Sequence, residues 1–310
     1  MAGKRPGGAG KRAFSWHGPI AAATVGTMWN ETRREALLRL LDDESPCVRE
    51  ALLAECRENE EAIAFLREVT GRRGDAAATH ARQLLAALGL DDPRGDFLRF
   101  IDSFHYELET GCYLLERTVH PHLEWATVAR FLDGVAARCC EFLDPEAPLF
   151  EKCKHLNLVL FHEYGFRGDL EHFHDPQNNF LGSVIQRRRG IPISLSVLYL
   201  LVAERCHFRL EPIGAPGRFL LAHLDDRDPF YLDPFDRGRF RTEEEVRQML
   251  LSRDVEDGSC YLLPAPVGEV LCRFCRNLVH QYTMQGQRDR ADLFRGFICA
   301  FENAYERESS

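Results

Sequence analysis

Eleven cysteines and twelve histidines in a chain of 310 residues raise the question of thiol or metal chemistry. An odd number of thiols cannot all pair, and eleven in so long a chain is sparse for a disulfide scaffold. They read as reduced thiols, which suits a cytoplasmic location. Cys272 and Cys275 have a metal-like spacing, but no fitting second pair accompanies them. At i and i+3 of a helix they read as two core-facing thiols. His162, His172 and His174 gather near Asp175 in a polar stretch and read as solvated residues with capping roles. Arg187-Arg188-Arg189 offers either an anion clamp beside a helix start or a set of partners for an acidic body, and the second reading is preferred. No G-x-S-x-G, H-E-x-x-H or glycine-rich phosphate loop occurs. Neither a cofactor nor a metal is expected.

The elements that must position such groups are mostly helical. Apolar residues at 36, 37, 38, 40 and 41 give a helix over 32–41. Pro46 then opens a second, through Cys56, with Val48, Ala51, Leu52 and Leu53 inward. Residues 61–69 and 76–88 supply two more. Asp91-Asp92-Pro93-Arg94-Gly95 marks a boundary, and the pattern from Phe97 to Glu141 is helical again. A further helix ends at Gly165, a left-handed cap. A polar loop over 172–179 leads to a short helix at 180–186. Arg188 to Ser194 breaks the chain and starts a helix that runs to about Cys206, with Pro192 in its first turn. Two strands follow, one from Leu210 past Pro216-Gly217 to Leu224 and one over 230–232, closed by the turn residues Asp233–Gly238. The last 50 residues are helical, over 268–285 and 288–306.

Charge narrows the partners. The net charge is −9, and the first sixteen residues carry +4 (Lys4, Arg5, Lys11, Arg12), leaving −13 on the rest. So acidic a body repels phosphate backbones, so no nucleic acid is expected. No run approaches the ~18–20 apolar residues of a membrane helix, so no membrane is expected either. The glycine-rich basic start reads as a disordered tail, since its apolar part lacks the leucines of a signal core.

The helix pairs meet at Asp43, Pro46, Val48 and Arg49, a junction that resembles a HEAT repeat. Further on, a helix with a special start followed by strands ending in Asp-Pro is similar to the transglutaminase-like (papain-related) core. Four ordered motifs resemble its SirB-type branch: Asp175-Pro176-Gln177-Asn178-Asn179-Phe180-Leu181, Arg187–Ser196, Pro216-Gly217-Arg218-Phe219-Leu220, and Asp233-Pro234-Phe235-Asp236-Arg237-Gly238. Leu271–Leu278 also resembles the branch's C-terminal helix, and a vertebrate F-box protein carries a similar core. The resemblance implies a cysteine at the helix start, a histidine on the next strand and an aspartate on the strand after. A helix N-terminus depresses a thiol pKa, an imidazole takes the proton, and a carboxylate orients the ring. Here Pro192 stands at the thiol position and Arg218 at the histidine position, with Ser194 and Ser196 nearby. Only the acid, Asp233, remains. A guanidinium cannot act as a base near neutrality, but it could pair with Asp233 and hold the old site shut.

Substitutes are poorly placed. His223 is an odd offset from Arg218 and falls on the opposite strand face. Cys206 is ~18 Å from Ser194 along the helix, and Cys139, Cys140 and Cys153 belong to faces that read as buried.

The fold expected is α+β and mostly helical: a HEAT-like stack, a transglutaminase-like core of a helix packed on a small antiparallel sheet, and C-terminal helices. The segments are a basic tail (1–18), the helical stack (19–93), the core (94–262) and the C-terminal helices (263–310). The function expected is a degenerate, non-catalytic, regulatory protein that binds another protein. The alternative is a hydrolase or acyl-transferase with a rearranged nucleophile such as Ser194. The vestigial site would comprise Pro192, Ser194, Arg218 and Asp233, with Asn179, Arg189 and Arg218 as candidate ligand contacts.

Overall fold

The computed structural model describes residues 31–308 except 42, 44, 58, 71–75, 226–227 and 252–258. The basic tail and the rest of residues 1–30 lie outside the described residues. Four helices come first: α1 (Glu31–Leu41), α2 (Pro46–Arg57), α3 (Glu60–Thr70) and α4 (Ala76–Ala87). Their inward faces build one apolar cluster from Leu37, Leu41, Leu52, Cys56, Phe65, Leu66, Val69, Leu84 and Leu85. The inward face of α2 is the expected one except at one position: Leu52 and Cys56 are buried and Val48 and Leu53 pack against the cluster, whereas Ala51 faces solvent. One turn separates Leu52 from Cys56, so this pair forms the stripe that meets α3.

The 97–141 stretch resolves into α5 (Pro93–Asp102), α6 (Leu108–Arg117) and α7 (Trp125–Cys140). Pro93 sits in the first turn of α5, and Asp92 caps it by accepting from Gly95 N at 2.9 Å. Helix α8 (Leu149–Asn157) continues into a π-helical turn, Leu158–Glu163, which Gly165 terminates at φ +71°. Strand β1 (Arg167–Gly168), a 3₁₀ turn (Pro176–Asn179), α9 (Leu181–Arg187) and β2 (Arg189–Gly190) lead to α10 (Pro192–Arg205). Helix α10 is buried nearly all round, with Leu195, Val197, Leu198, Tyr199, Leu201 and Val202 each at most 1% exposed. A helix apolar on every face belongs inside a core, and α10 packs against α7, α9 and the sheet.

The sheet is antiparallel, in the order β3 (Glu211–Ile213), β4 (Leu220–His223), β5 (Phe230–Asp233) and β6 (Arg239–Arg241). This corrects the expectation of two strands. The chain turns back between Ile213 and Leu220, so the first stretch is a hairpin, and β6 lies beyond the turn expected to end the unit. Leu221 pairs with Leu232 and Ala222 with Tyr231. Alternation then sends Phe219, Leu221, Phe230 and Leu232 into the main core, and Leu220, Ala222 and Tyr231 into a second cluster with Val246 of α11 (Glu243–Leu251). Helices α12 (Val267–Met284) and α13 (Arg288–Glu308) close the main core. There Phe297 packs edge-on against Phe97 of α5 at 4.8 Å.

Candidate functional site

The start of α10 is built from backbone first. Arg188, at φ +54°, ends α9 in a left-handed cap and lets β2 pair parallel with β1, Arg167 opposite Arg189 and Gly168 opposite Gly190. A Cβ on Gly190 would stand 2.7 Å from Ser194 Oγ, so the close approach requires glycine. Pro192 occupies the first turn, where its missing N–H is harmless. The Ser194 hydroxyl accepts from Ile191 N at 3.0 Å and donates to Ile191 O at 3.2 Å. It is wholly buried and acts as a reciprocal cap on its own helix. Ser196 is equally buried and donates to Phe219 O at 3.0 Å, fixing α10 to the Pro216–Leu220 motif.

Asp233, at the end of β5, is fully buried. Its carboxylate accepts from Arg241 Nη2 at 3.0 Å, Arg241 Nε at 3.3 Å and Asp236 N at 3.3 Å. Arg218 Nη1 is more distant, 3.9 Å from Asp233 Oδ2, and its guanidinium lies 5.5 Å from the Phe235 ring centroid. The expected pairing of Arg218 with Asp233 is therefore the outer half of a cluster whose inner cation is Arg241. Register explains the geometry: Arg241 is opposite Tyr231, two residues from Asp233 and on the same face. The Pro234–Asp236 turn packs against α10, and Gly238, at φ +73°, comes against Asn157, whose Nδ2 donates to Gly238 O at 2.8 Å.

The remaining candidates are tied into the fold at separate points. Asn179 is 3% exposed, and its Nδ2 donates to Gln281 Oε1 at 2.6 Å and Pro176 O at 3.1 Å, joining the 3₁₀ turn to α12. The three consecutive arginines diverge. Arg187 bonds Asp175 at 2.5 Å and contacts Asn178 Oδ1, while Arg189 bonds Glu171 at 2.9 Å. Arg188 instead lies over the rings of Phe131, Phe166 and Tyr164, at 4.3, 4.8 and 5.6 Å. His223 falls beside Phe230, ring centroids 5.5 Å apart, on the face that carries Phe219 and Leu221.

Burial governs the thiols. Cys272 and Cys275 are core residues of α12. Burial pushes Cys272 up to about 11 and Cys153 up to about 12, and raises Cys112 and Cys275 well above the ordinary thiol range. Cys140 corrects the expectation for its helix, because it is exposed.

Sequence reasoning missed Arg241 and Asn157. The alternation Arg239-Phe240-Arg241, charged–apolar–charged, was the available strand signal for the first. Asn157 carries no local signal, since it meets Gly238 across 81 positions.

The model of a family described as the transglutaminase-like superfamily matches residues 126–276. A UPF0162 protein of Xylella fastidiosa strain 9a5c is 32% identical over 211 residues, covering 64% of this chain and 73% of that protein. A UPF0162 protein of Vibrio cholerae is 36% identical over 135 residues, 42% of this chain and 48% of its own length. The mouse F-box only protein 21 is 36% identical over 103 residues, 31% of this chain and 16% of that protein. No solved structure matches. The matched span takes in α10, the whole sheet and the Asp233 turn, and with the Xylella relative 32% identical and covered over 73% of its length, the chain belongs to the UPF0162 family and carries a transglutaminase-like domain.

Proposed function

We propose that this chain is a non-catalytic transglutaminase-like protein that acts in the cytoplasm by binding and regulating another protein. One observation carries the reading: Pro192 and Arg218 stand where the superfamily places thiol and imidazole, while Asp233 is occupied by Arg241. A hydrolase or acyl-transferase needs a base within hydrogen-bond reach of its nucleophile. The Ser194 hydroxyl is instead turned onto the Ile191 backbone on both its donor and acceptor sides. The HEAT-like helices α1–α4 add a surface of the kind that solenoid repeats use for partners. The likeness to a protein named for its F-box supports a binding role for the shared core.

Purified full-length protein is incubated with glutamine-containing and amide-containing peptides, with and without an amine acceptor, and ammonia release and amine incorporation are followed. The expected result is no turnover above buffer. Turnover that Ser194→Ala or Asp233→Asn abolishes, in variants whose circular dichroism matches the parent, overturns the proposal.

A further inference from the structure

Helix α7 ends in the vicinal pair Cys139-Cys140, and Cys206 is the residue that closes α10. Cys206 Sγ lies 3.8 Å from the Ala136 carbonyl oxygen. In an α-helix that carbonyl accepts the amide of the residue four positions on, here Cys140, so the Cys206 sulfur sits over the last turn of α7. That turn carries both Cys139 and Cys140. The three differ in access: Cys140 is exposed, whereas Cys139 and Cys206 are buried. One solvent-facing thiol backed by a buried one is the arrangement of an entry sulfur and a resolving sulfur.

We propose that Cys140 and Cys206 form an oxidation site for hydroperoxides. The Cys140 sulfur attacks the peroxide: an S–O bond forms, the O–O bond breaks, and the thiol proton leaves with the departing oxygen as water or alcohol. Cys206 sulfur then attacks the sulfenic sulfur. An S–S bond forms, the S–O bond breaks, and the hydroxide leaves as water with the Cys206 proton. The pair loses two electrons and two protons, and one peroxide is reduced. The product links the C-terminal end of α7 to that of α10. Partial desolvation raises the Cys140 thiol, and the neighbouring Cys139 thiol, followed by burial, raises Cys206, so both are protonated at neutral pH and the first step is slow and needs excess peroxide.

The test uses the reduced full chain, treated with excess hydrogen peroxide, capped with N-ethylmaleimide and digested with trypsin without reductant. Mass spectrometry should find peptide 139–152 joined to peptide 206–209, lighter by two hydrogens than their sum. Cys140→Ser, a surface change that leaves the core intact, should abolish the linked species. The exposed Cys47 and Cys299 report ordinary unassisted oxidation in the same sample. Over-oxidation of Cys140 to sulfinic acid without the linked peptide overturns the proposal. So does a linked peptide that persists in Cys140→Ser, which would pair Cys206 with Cys139.

Discussion

Replacing Arg241 by methionine isolates what keeps the Asp233 carboxylate charged inside the protein. Asp233 is fully buried and the Arg241 side chain only 11% exposed, whereas Arg218 is 29% exposed and more distant. Removing one partner of a buried pair costs ~3–5 kcal/mol because the other charge is left uncompensated. Arg218 at 3.9 Å, together with the Asp236 amide, retains part of that compensation. About 2–3 kcal/mol is therefore expected for Arg241→Met, against less than ~1 kcal/mol for Arg218→Met, which breaks only a half-exposed contact. At ~2–4 °C per kcal/mol, Arg241→Met should lower the melting temperature by several degrees. Urea unfolding of both single variants, and of Asp233→Asn alone and combined with Arg241→Met, gives the comparison. The double variant should fall short of additivity by more than ~1 kcal/mol, because the second change removes a bond already broken. An Arg218→Met cost equal to or above that of Arg241→Met, or strict additivity in the cycle, would falsify the assignment of Arg241 as the inner cation.

Alkaline pH should destabilise the fold through its buried thiols. Cys153 and Cys272 are pushed up to about 12 and about 11 when folded, while unfolded thiols ionise near ~8.5. Their contribution is complete below that value and is lost as pH rises towards 11 and 12, at about 1.4 kcal/mol per pH unit for each thiol. Urea midpoints at pH 7, 9 and 10 should fall in that order, and a flat series refutes the assignment. Gly238→Ala should cost about 2–3 kcal/mol, because the left-handed backbone penalises a Cβ and that atom would stand 2.1 Å from Asn157 Oδ1. Adding Asn157→Ala should relieve the clash but not the backbone penalty. An unchanged melting temperature in the single variant would show that the turn is not constrained in this way.

The helices were readable because each keeps a long apolar stripe, and the bounds of α1, α4 and α12 differ from expectation by only a residue or so. The α10 start was readable for a different reason: proline and glycine leave few backbone choices. The sheet was less legible. Strand β3 and strand β6 are three residues each, too short to show a period, and the hairpin between Ile213 and Leu220 lacks a tight two-residue turn signal. Arg241 is hidden with its strand, so the motifs offer Arg218, at the position of the superfamily's histidine, as the partner for Asp233. Arg188 shows the opposite limit: three adjacent arginines look alike in a sequence, yet only the fold reveals that the middle one is held by rings and its neighbours by carboxylates.

The two large apolar clusters differ in how much chain each requires. The cluster of α1–α4 draws only on residues 37–90, all local contacts that become available early as a chain emerges from synthesis. The main cluster cannot be completed that way, because Phe97 of α5 is covered by Phe297 and Phe301 of α13. The Phe97 face of α5 is therefore made about 200 residues before Phe297 arrives to cover it. During that interval the Phe97 face stays open, while the helical stack ahead of it already has all the chain its own cluster needs.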